Sequence, residues 1–151
     1  MVTNIPMVNF RIKNTDTMIM KRTQVGVSII LLKKDKVLIG KRRGSHGAGL
    51  YALPGGHIEF GETYTETCQR ELKEETGIDS ALEFSKLGFS EDFFPVEDKH
   101  YTTLYFYCRV SDNIEAINME PDKCDGWKWV SMHKLPEVMY CDTKAQIEKL
   151  G

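Results

Sequence analysis

GETYTETCQRELKEETGI, residues 61–78, crowds seven acidic or basic side chains into one short stretch, and three of them, Glu71, Glu74 and Glu75, fall within the six residues RELKEE. Thr63 followed by Glu66 has the spacing of a capping box, in which each residue's side chain satisfies the other's backbone N–H. The pattern from there to residue 76 is helical, and Gly77 is a natural C-terminal stop. Positions 71, 74 and 75 are separated by three and four residues, which puts their carboxylates on one helix face. Thr65, Cys68 and Leu72 form an adjacent stripe with the spacing of a core-facing surface, so the glutamates belong at its edge. Carboxylates this close raise one another's pKa, and a bound divalent cation relieves the repulsion. An all-oxygen ligand set suits a hard ion such as Mg²⁺ or Mn²⁺. RELKEE alone is also open to a plainer reading, a surface ladder of i, i+4 ion pairs such as Glu66 with Arg70 or Arg70 with Glu74.

Outward from the helix, GSHGAGLYALPGGHIEFGE (44–62) is glycine-rich and reads as a loop, a brief strand at Tyr51 to Leu53 and a turn. Further upstream, Val25, Val27, Ile29 and Leu31 alternate with period two, KKDK makes a polar turn, and VLIGKR continues as a second strand, so the pair predicts a hairpin. Downstream, strands are expected in LEFSKLGFSEDF, HYTTLYFYCRV and GWKWV, and DTKAQIEKL (142–150) as a closing helix capped by Asp142. Strands and helices interleave without a strict βαβ repeat, which predicts a mixed sheet with helices packed on it. The one boundary falls near residue 22, with residues 1–22 an extension or arm and 23–151 the domain.

With 151 residues the chain has room for one domain and a real core. A net charge of −2 gives no electrostatic reason to bind a nucleic-acid polymer or a membrane, so a polyanionic substrate needs a local device such as a metal ion. The apolar runs are too short to cross a bilayer and MVTNIPMVNFRIKNTD is too polar for a secretory core, which makes the cytosol the expected compartment. Cys68, Cys108, Cys124 and Cys141 are widely spaced, without a CxxC pair, and read as reduced structural thiols.

Counted from Gly56, the sequence gives five residues, Glu62, seven residues, and then Arg70-Glu71-Leu72-Lys73-Glu74-Glu75-Thr76-Gly77-Ile78. This resembles the Nudix box, Gly-x5-Glu-x7-Arg-Glu-apolar-x-Glu-Glu-x-Gly-apolar, at every specified position. Seven fixed residues at roughly one in fifteen each leave about one chance in 10⁸ at a given register, so coincidence does not compete. GKRRGSHGAG before the box and the Trp-x-Trp-Val strand after it extend the resemblance over roughly residues 23–150.

The resemblance implies an α/β/α sandwich around a mixed sheet, with the box binding divalent metal and the diphosphate of a nucleotide. It implies that Glu71, Glu74 and Glu75 are metal-site carboxylates, that the Gly55 carbonyl is a further ligand, that Glu62 supports the site and that Arg70 orients a neighbouring glutamate. Glycines at 55 and 56 let the backbone turn sharply and approach a metal or substrate. Two or more Mg²⁺ ions, with Mn²⁺ a possible substitute, would offset the charge that protects a diphosphate from attack. The proton-accepting carboxylate stays open: Glu71 or Glu74 within the box, or Glu91, Asp92, Glu97, Asp98 or Glu120 outside it.

GKRRGSHGAGLYALPGGHIEFGET with EPDKCDGWKWV looks like the Nudix group that hydrolyses nucleoside triphosphates, oxidised guanine nucleotides included, to monophosphate and pyrophosphate. On that likeness Leu53 borders the base, His57 reaches a phosphate beside Gly56, Lys41 steers phosphates with Arg42 and Arg43, and the enzyme is a possible homodimer. Trp127 and Trp129, at i and i+2, and Phe93, Phe94, Tyr105 and Phe106 offer aromatic faces for core packing or for stacking on a base. ADP-ribose, dinucleoside polyphosphates and prenyl diphosphates are alternative substrates, and a nucleotide-binding sensor is the alternative outside enzymes.

Overall fold

The computed structural model describes residues 21–44 and 46–151; nearly all of the expected arm, residues 1–20, lies outside them. Among the described residues, seven strands and two helices follow in the order β1 (Gln24–Lys33), β2 (Lys36–Arg42), β3 (Tyr51–Ala52), β4 (Gly55–His57), α1 (Tyr64–Thr76), β5 (Ser85–Phe94), β6 (Lys99–Arg109), β7 (Cys124–Ser131) and α2 (Thr143–Glu148). The sheet runs β3-β2-β1-β6-β5, with β4 added to β1 and β7 to β2. β1 and β6 are parallel and the other pairs antiparallel, so the sheet is mixed as expected.

The expected hairpin forms, turning at Lys34 and Asp35 with Lys34 at φ 55°. Its ladder is short, Leu32 on Val37 and Lys33 on Lys36, because the same edge of β1 is taken lower down by β4. The apolar alternation of β1 is also doubled. Val27, Ile29 and Leu31 pack with Cys68 and Leu72 of α1, whereas Ile30 and Leu32 pack with Ile147 of α2. A central strand covered by helices on both sides needs apolar residues on both faces. Each buried aliphatic side chain contributes about 1.5–3 kcal/mol of transfer free energy. The result is a sheet sandwiched between helices.

The capping box is complete: the Thr63 N–H donates to the Glu66 carboxylate at 2.7 Å and the Glu66 N–H to Thr63 Oγ1 at 3.2 Å. At the far end Gly77 adopts φ 72° and its N–H donates to the Lys73 carbonyl at 3.0 Å, closing α1 where expected. The buried stripe is Thr67, Cys68, Leu72 and Thr76, and Thr65 is exposed. Cys68, Leu72 and Thr76 step by four residues, and the face they make leaves Thr65 turned to solvent. α2 is shorter than expected, and the Asp142 side chain does not cap its N–H groups; Asp142 Oδ2 instead accepts from Gln146 Nε2 at 2.9 Å. Among the described residues, no helix is long and apolar enough to cross a membrane.

Candidate active site

β4, expected as part of a turn, is a short strand, and its glycines determine where the site lies. Gly55 and Gly56 pair with Ser28 and Val27 of β1, and the Ile29 N–H reaches back to the Pro54 carbonyl at 2.8 Å. A Cβ at residue 55 would overlap the Val27 carbonyl oxygen, and one at residue 56 would overlap the Glu71 carboxylate. Glycine is therefore required here for close approach: the β4 backbone is pressed between β1 and the acidic face of α1.

Arg70 organises that face. Its Nε donates to Glu62 at 2.7 Å and its Nη2 to Glu62 at 2.9 Å, a two-pronged grip, while the same Nη2 donates to the His57 carbonyl at 2.9 Å. Nη1 donates to Glu71 at 2.8 Å and to Glu74 at 3.3 Å. One guanidinium thus ties the loop before α1 to two carboxylates on it, a use of the planar fork that a lysine ammonium cannot reproduce. The hydrogen bonds from Arg70 hold Glu62 down at about 2, and Glu62 reciprocally raises Arg70. Glu62 is fixed further by the Glu59 N–H at 2.8 Å and by Thr67 Oγ1 at 3.2 Å.

Glu71 and Glu75, one turn apart, form the buried acidic pair. Burial raises Glu71 against the pull of Arg70; burial, and next the Glu71 charge, raise Glu75 well above the usual carboxylate range. The hydrogen bond they share lowers Glu71 and raises Glu75. Glu75 also accepts from the Gly55 N–H at 3.4 Å, and its backbone carbonyl accepts from Trp127 Nε1 at 3.0 Å. The three glutamates line one cavity but differ in burial. Glu74 turns outward, with a side chain 53% exposed against 12% for Glu71, and rests on Arg70 at the rim. Among the described residues no three His, Cys, Asp or Glu side chains stand close enough together to hold a metal ion. The donor set nevertheless fits a hard divalent cation: two desolvated carboxylates in mutual repulsion, beside a backbone pressed close by two glycines.

These groups form one end of a cavity of ≈530 Å³. Leu53, Gly55, Gly56 and His57 line it as expected, and so do Arg42, Arg43 and Trp127. Lys41 does not line it, because alternation along β2 directs Arg42 inward and leaves Lys41 exposed. Glu62 stands behind Arg70 and is not part of the wall. Of the five acids considered outside the box, Glu120 alone lines the cavity, where it accepts from Lys123 at 3.2 Å. Glu91 and Asp92 line a separate open depression, Asp92 accepting from Ser90 and Thr103. Asp98 pairs with Lys21 at 2.5 Å.

The opposite end is aromatic, and the sequence reading missed most of it. The Tyr101 ring lies nearly parallel to His57, centroids 5.3 Å apart, and to His46, 6.0 Å apart. Tyr140 stacks on Phe94 at 5.7 Å, carries the Arg42 guanidinium 4.0 Å above its ring, and meets His46 Nε2 through its hydroxyl at 2.6 Å. Burial, followed by Arg42 and Lys99 for His46 and by Lys99 for His57, lowers both imidazoles below the ordinary 6.5, so both are neutral at pH 7. His46 Nδ1 is buried and has no hydrogen-bond partner among the described residues. Of the aromatics weighed for stacking, Tyr105 and Phe106 are in the core, Phe93 is exposed, and Trp127 and Trp129 pack on the α1 side. The one available signal for the nest was the alternation in HYTTLYFYC, which puts Tyr101 and Thr103 on one face of β6, and both line the cavity.

A family model for the NUDIX domain matches residues 22–149. The RNA pyrophosphohydrolase of Zymomonas mobilis is 31% identical over 139 residues, covering 83% of this chain and 90% of the relative. The 8-oxo-dGTP diphosphatase of Escherichia coli is 39% identical over 116 residues, covering 75% and 83%. The crystal structure of a MutT NUDIX hydrolase from Burkholderia pseudomallei superposes with a TM-score of 0.78 at 24% identity, over 87% of this chain and all of that one.

Proposed function

The chain belongs to the Nudix family of hydrolases, and within it we propose a Mg²⁺-dependent cytosolic pyrophosphohydrolase that cleaves guanine nucleoside triphosphates, oxidised ones included, to the monophosphate and pyrophosphate. The observation that carries this reading is a single cavity with a desolvated carboxylate pair against two glycines at one end and an aromatic nest at the other. A triphosphate with a flat base needs both. Its role would be removal of damaged nucleotides from the pool.

On this reading Glu71 and Glu75 hold the metal with the Gly55 carbonyl, and Glu74 and Glu120 serve from the rim; Mn²⁺ substitutes. A metal ion held there would offset diphosphate charge and ease loss of a proton from the attacking water at neutral pH. Glu71 is the favoured proton acceptor, because Arg70 holds its carboxylate at 2.8 Å and Glu62 holds Arg70. Arg42, Arg43 and Lys123 reach the cavity and compensate phosphate oxygens remote from the metal. Tyr101, His57 and His46 offer neutral ring faces, the kind of wall on which a base stacks. Leu53 supplies apolar wall to the cavity.

The relative named for RNA pyrophosphohydrolysis supports a second reading, in which the triphosphate is the 5′ end of an RNA. A substrate panel separates the two: dGTP, oxidised dGTP, the other nucleoside triphosphates, a 5′-triphosphorylated oligoribonucleotide and ADP-ribose, each with and without Mg²⁺. Pyrophosphate release fastest from the guanine triphosphates, and lost on chelation, is the expected result. Faster release from the oligonucleotide would select the second reading, and AMP from ADP-ribose alone would overturn both. Ligand binding without turnover on any substrate would mean a sensor.

A further inference from the structure

β5 ends the sheet. It pairs with β6 on one edge, and no strand among the described residues pairs with the other. Long unpaired edges are ordinarily blunted by charge, proline or a covering segment, because they template pairing with another chain. This ten-residue edge carries charge at Lys86, Glu91 and Asp92 and a bulge between Lys86 and Gly88, yet it also displays Phe89 at 63% and Phe93 at 64% exposure. Phe89 sits opposite Leu104 of β6, on the side of the sheet that carries α1, and Lys86 opposite Phe106 faces the same way. Glu91, two residues beyond Phe89, is on that side too. Lys86 and Glu91 are exposed, and neither forms an ion pair among the described residues.

We propose that this edge binds a second copy of the chain, β5 against β5 in antiparallel fashion about a two-fold axis through Phe89. The register follows from the bulge between Lys86 and Gly88. Counting outward from Phe89, Gly88 meets the second copy's Ser90, and Lys86 and Leu87, which together fill one position, meet its Glu91. Ser85 then meets Asp92. The bulge keeps facing residues on the same side of the joined sheet, so Lys86 lies across from Glu91 twice and Phe89 packs on its own equivalent. A two-fold pairing must be self-complementary, and this register satisfies that in charge and in apolar contact.

Sedimentation velocity of the full chain over micromolar concentrations tests it, beside Lys86→Glu, Glu91→Lys, the double exchange and Phe89→Asp. The expected result is a wild-type dimer weakened about ten-fold or more by either single reversal, restored by the double exchange, and abolished by Phe89→Asp, with melting temperatures near wild type throughout. A wild-type monomer at every concentration would overturn the proposal, as would a dimer indifferent to the reversals. If Phe89→Asp fails to fold, restoration by the double exchange still decides the outcome.

Discussion

The two ends of the cavity are built in opposite ways. The acidic end comes from one stretch of chain: β4 and α1 supply Gly55, Gly56, Arg70, Glu71 and Glu75, with Glu62 of the loop between them behind Arg70. The aromatic end is gathered from four distant places, His46 in the loop after β2, His57 on β4, Tyr101 on β6 and Tyr140 before α2. The acidic end is fixed by hydrogen bonds to charge, many of them converging on one guanidinium, and the aromatic end by ring contacts of modest individual energy. Chemistry common to every diphosphate can reside in the rigid local segment, while selectivity for the rest of the molecule is left to side chains that the fold brings together.

If that division holds, the two ends respond to substitution in different kinetic constants, and the largest effect belongs to the acidic pair. Glu75→Gln keeps the shape and the hydrogen bond from Gly55 but removes the charge proposed to hold the metal. We expect kcat to fall on the order of 10³-fold, and Mg²⁺ to raise the melting temperature of the wild type but not of the variant. Equal loss from Tyr101→Ala would collapse the distinction between the ends.

Arg70→Ala comes next. It leaves Glu62, Glu71 and Glu74 without their shared cation, and we expect a loss of about 10- to 100-fold in kcat with a loss of about 1.5–3 kcal/mol in stability. Arg70→Lys should recover little activity, because one ammonium cannot grip Glu62 with two prongs and hold Glu71 and the His57 carbonyl as well. Full recovery would show that only charge is needed at this position, and that the positioning described for Glu71 is unnecessary.

The same contrast explains what was legible in the sequence. Thr63, Glu66, Gly77 and the four-residue steps of α1 are local signals, and the helix forms between the bounds they imply. The box glutamates were legible because their spacing is a helix period. Their unequal burial was not read from it, although Glu75 lies toward the buried Cys68 and Leu72 side of the helix and Glu74 away from it. Thr65 and the Asp142 cap were misjudged because the direction in which a face meets the core is decided by tertiary packing. His46 and Tyr140 lie ninety-four positions apart, and no periodicity links them. Lys41 and Arg42 differ only in the phase of a strand, and a one-residue error exchanges inside for outside.

Tyr101→Ala tests the aromatic end. Removing one stacked ring should cost about 1 kcal/mol of substrate binding, or roughly a five-fold rise in KM, with kcat little changed and discrimination between guanine and pyrimidine triphosphates reduced. A fall in kcat at constant KM would place Tyr101 with the reacting groups, and the cavity would then not divide as described.

The smallest effect concerns the support of the acidic end. Glu62 is held at about 2 by Arg70, below the ordinary 4.5 of a glutamate. For a group whose folded-state pKa is depressed, the stabilisation is fully present above the unfolded value and is lost as pH falls through the folded one. Wild type and Glu62→Gln should therefore differ in melting temperature at neutral pH, and the two curves should converge as pH falls from about 4.5 to about 2. The comparison belongs in metal-free protein, where ligand binding does not add its own pH dependence. A difference that persists at the acid end would mean that Glu62 acts through shape and neutral hydrogen bonds to Thr67 and Glu59; convergence would mean that the charge on Glu62 is what keeps Arg70, and through it Glu71, in place.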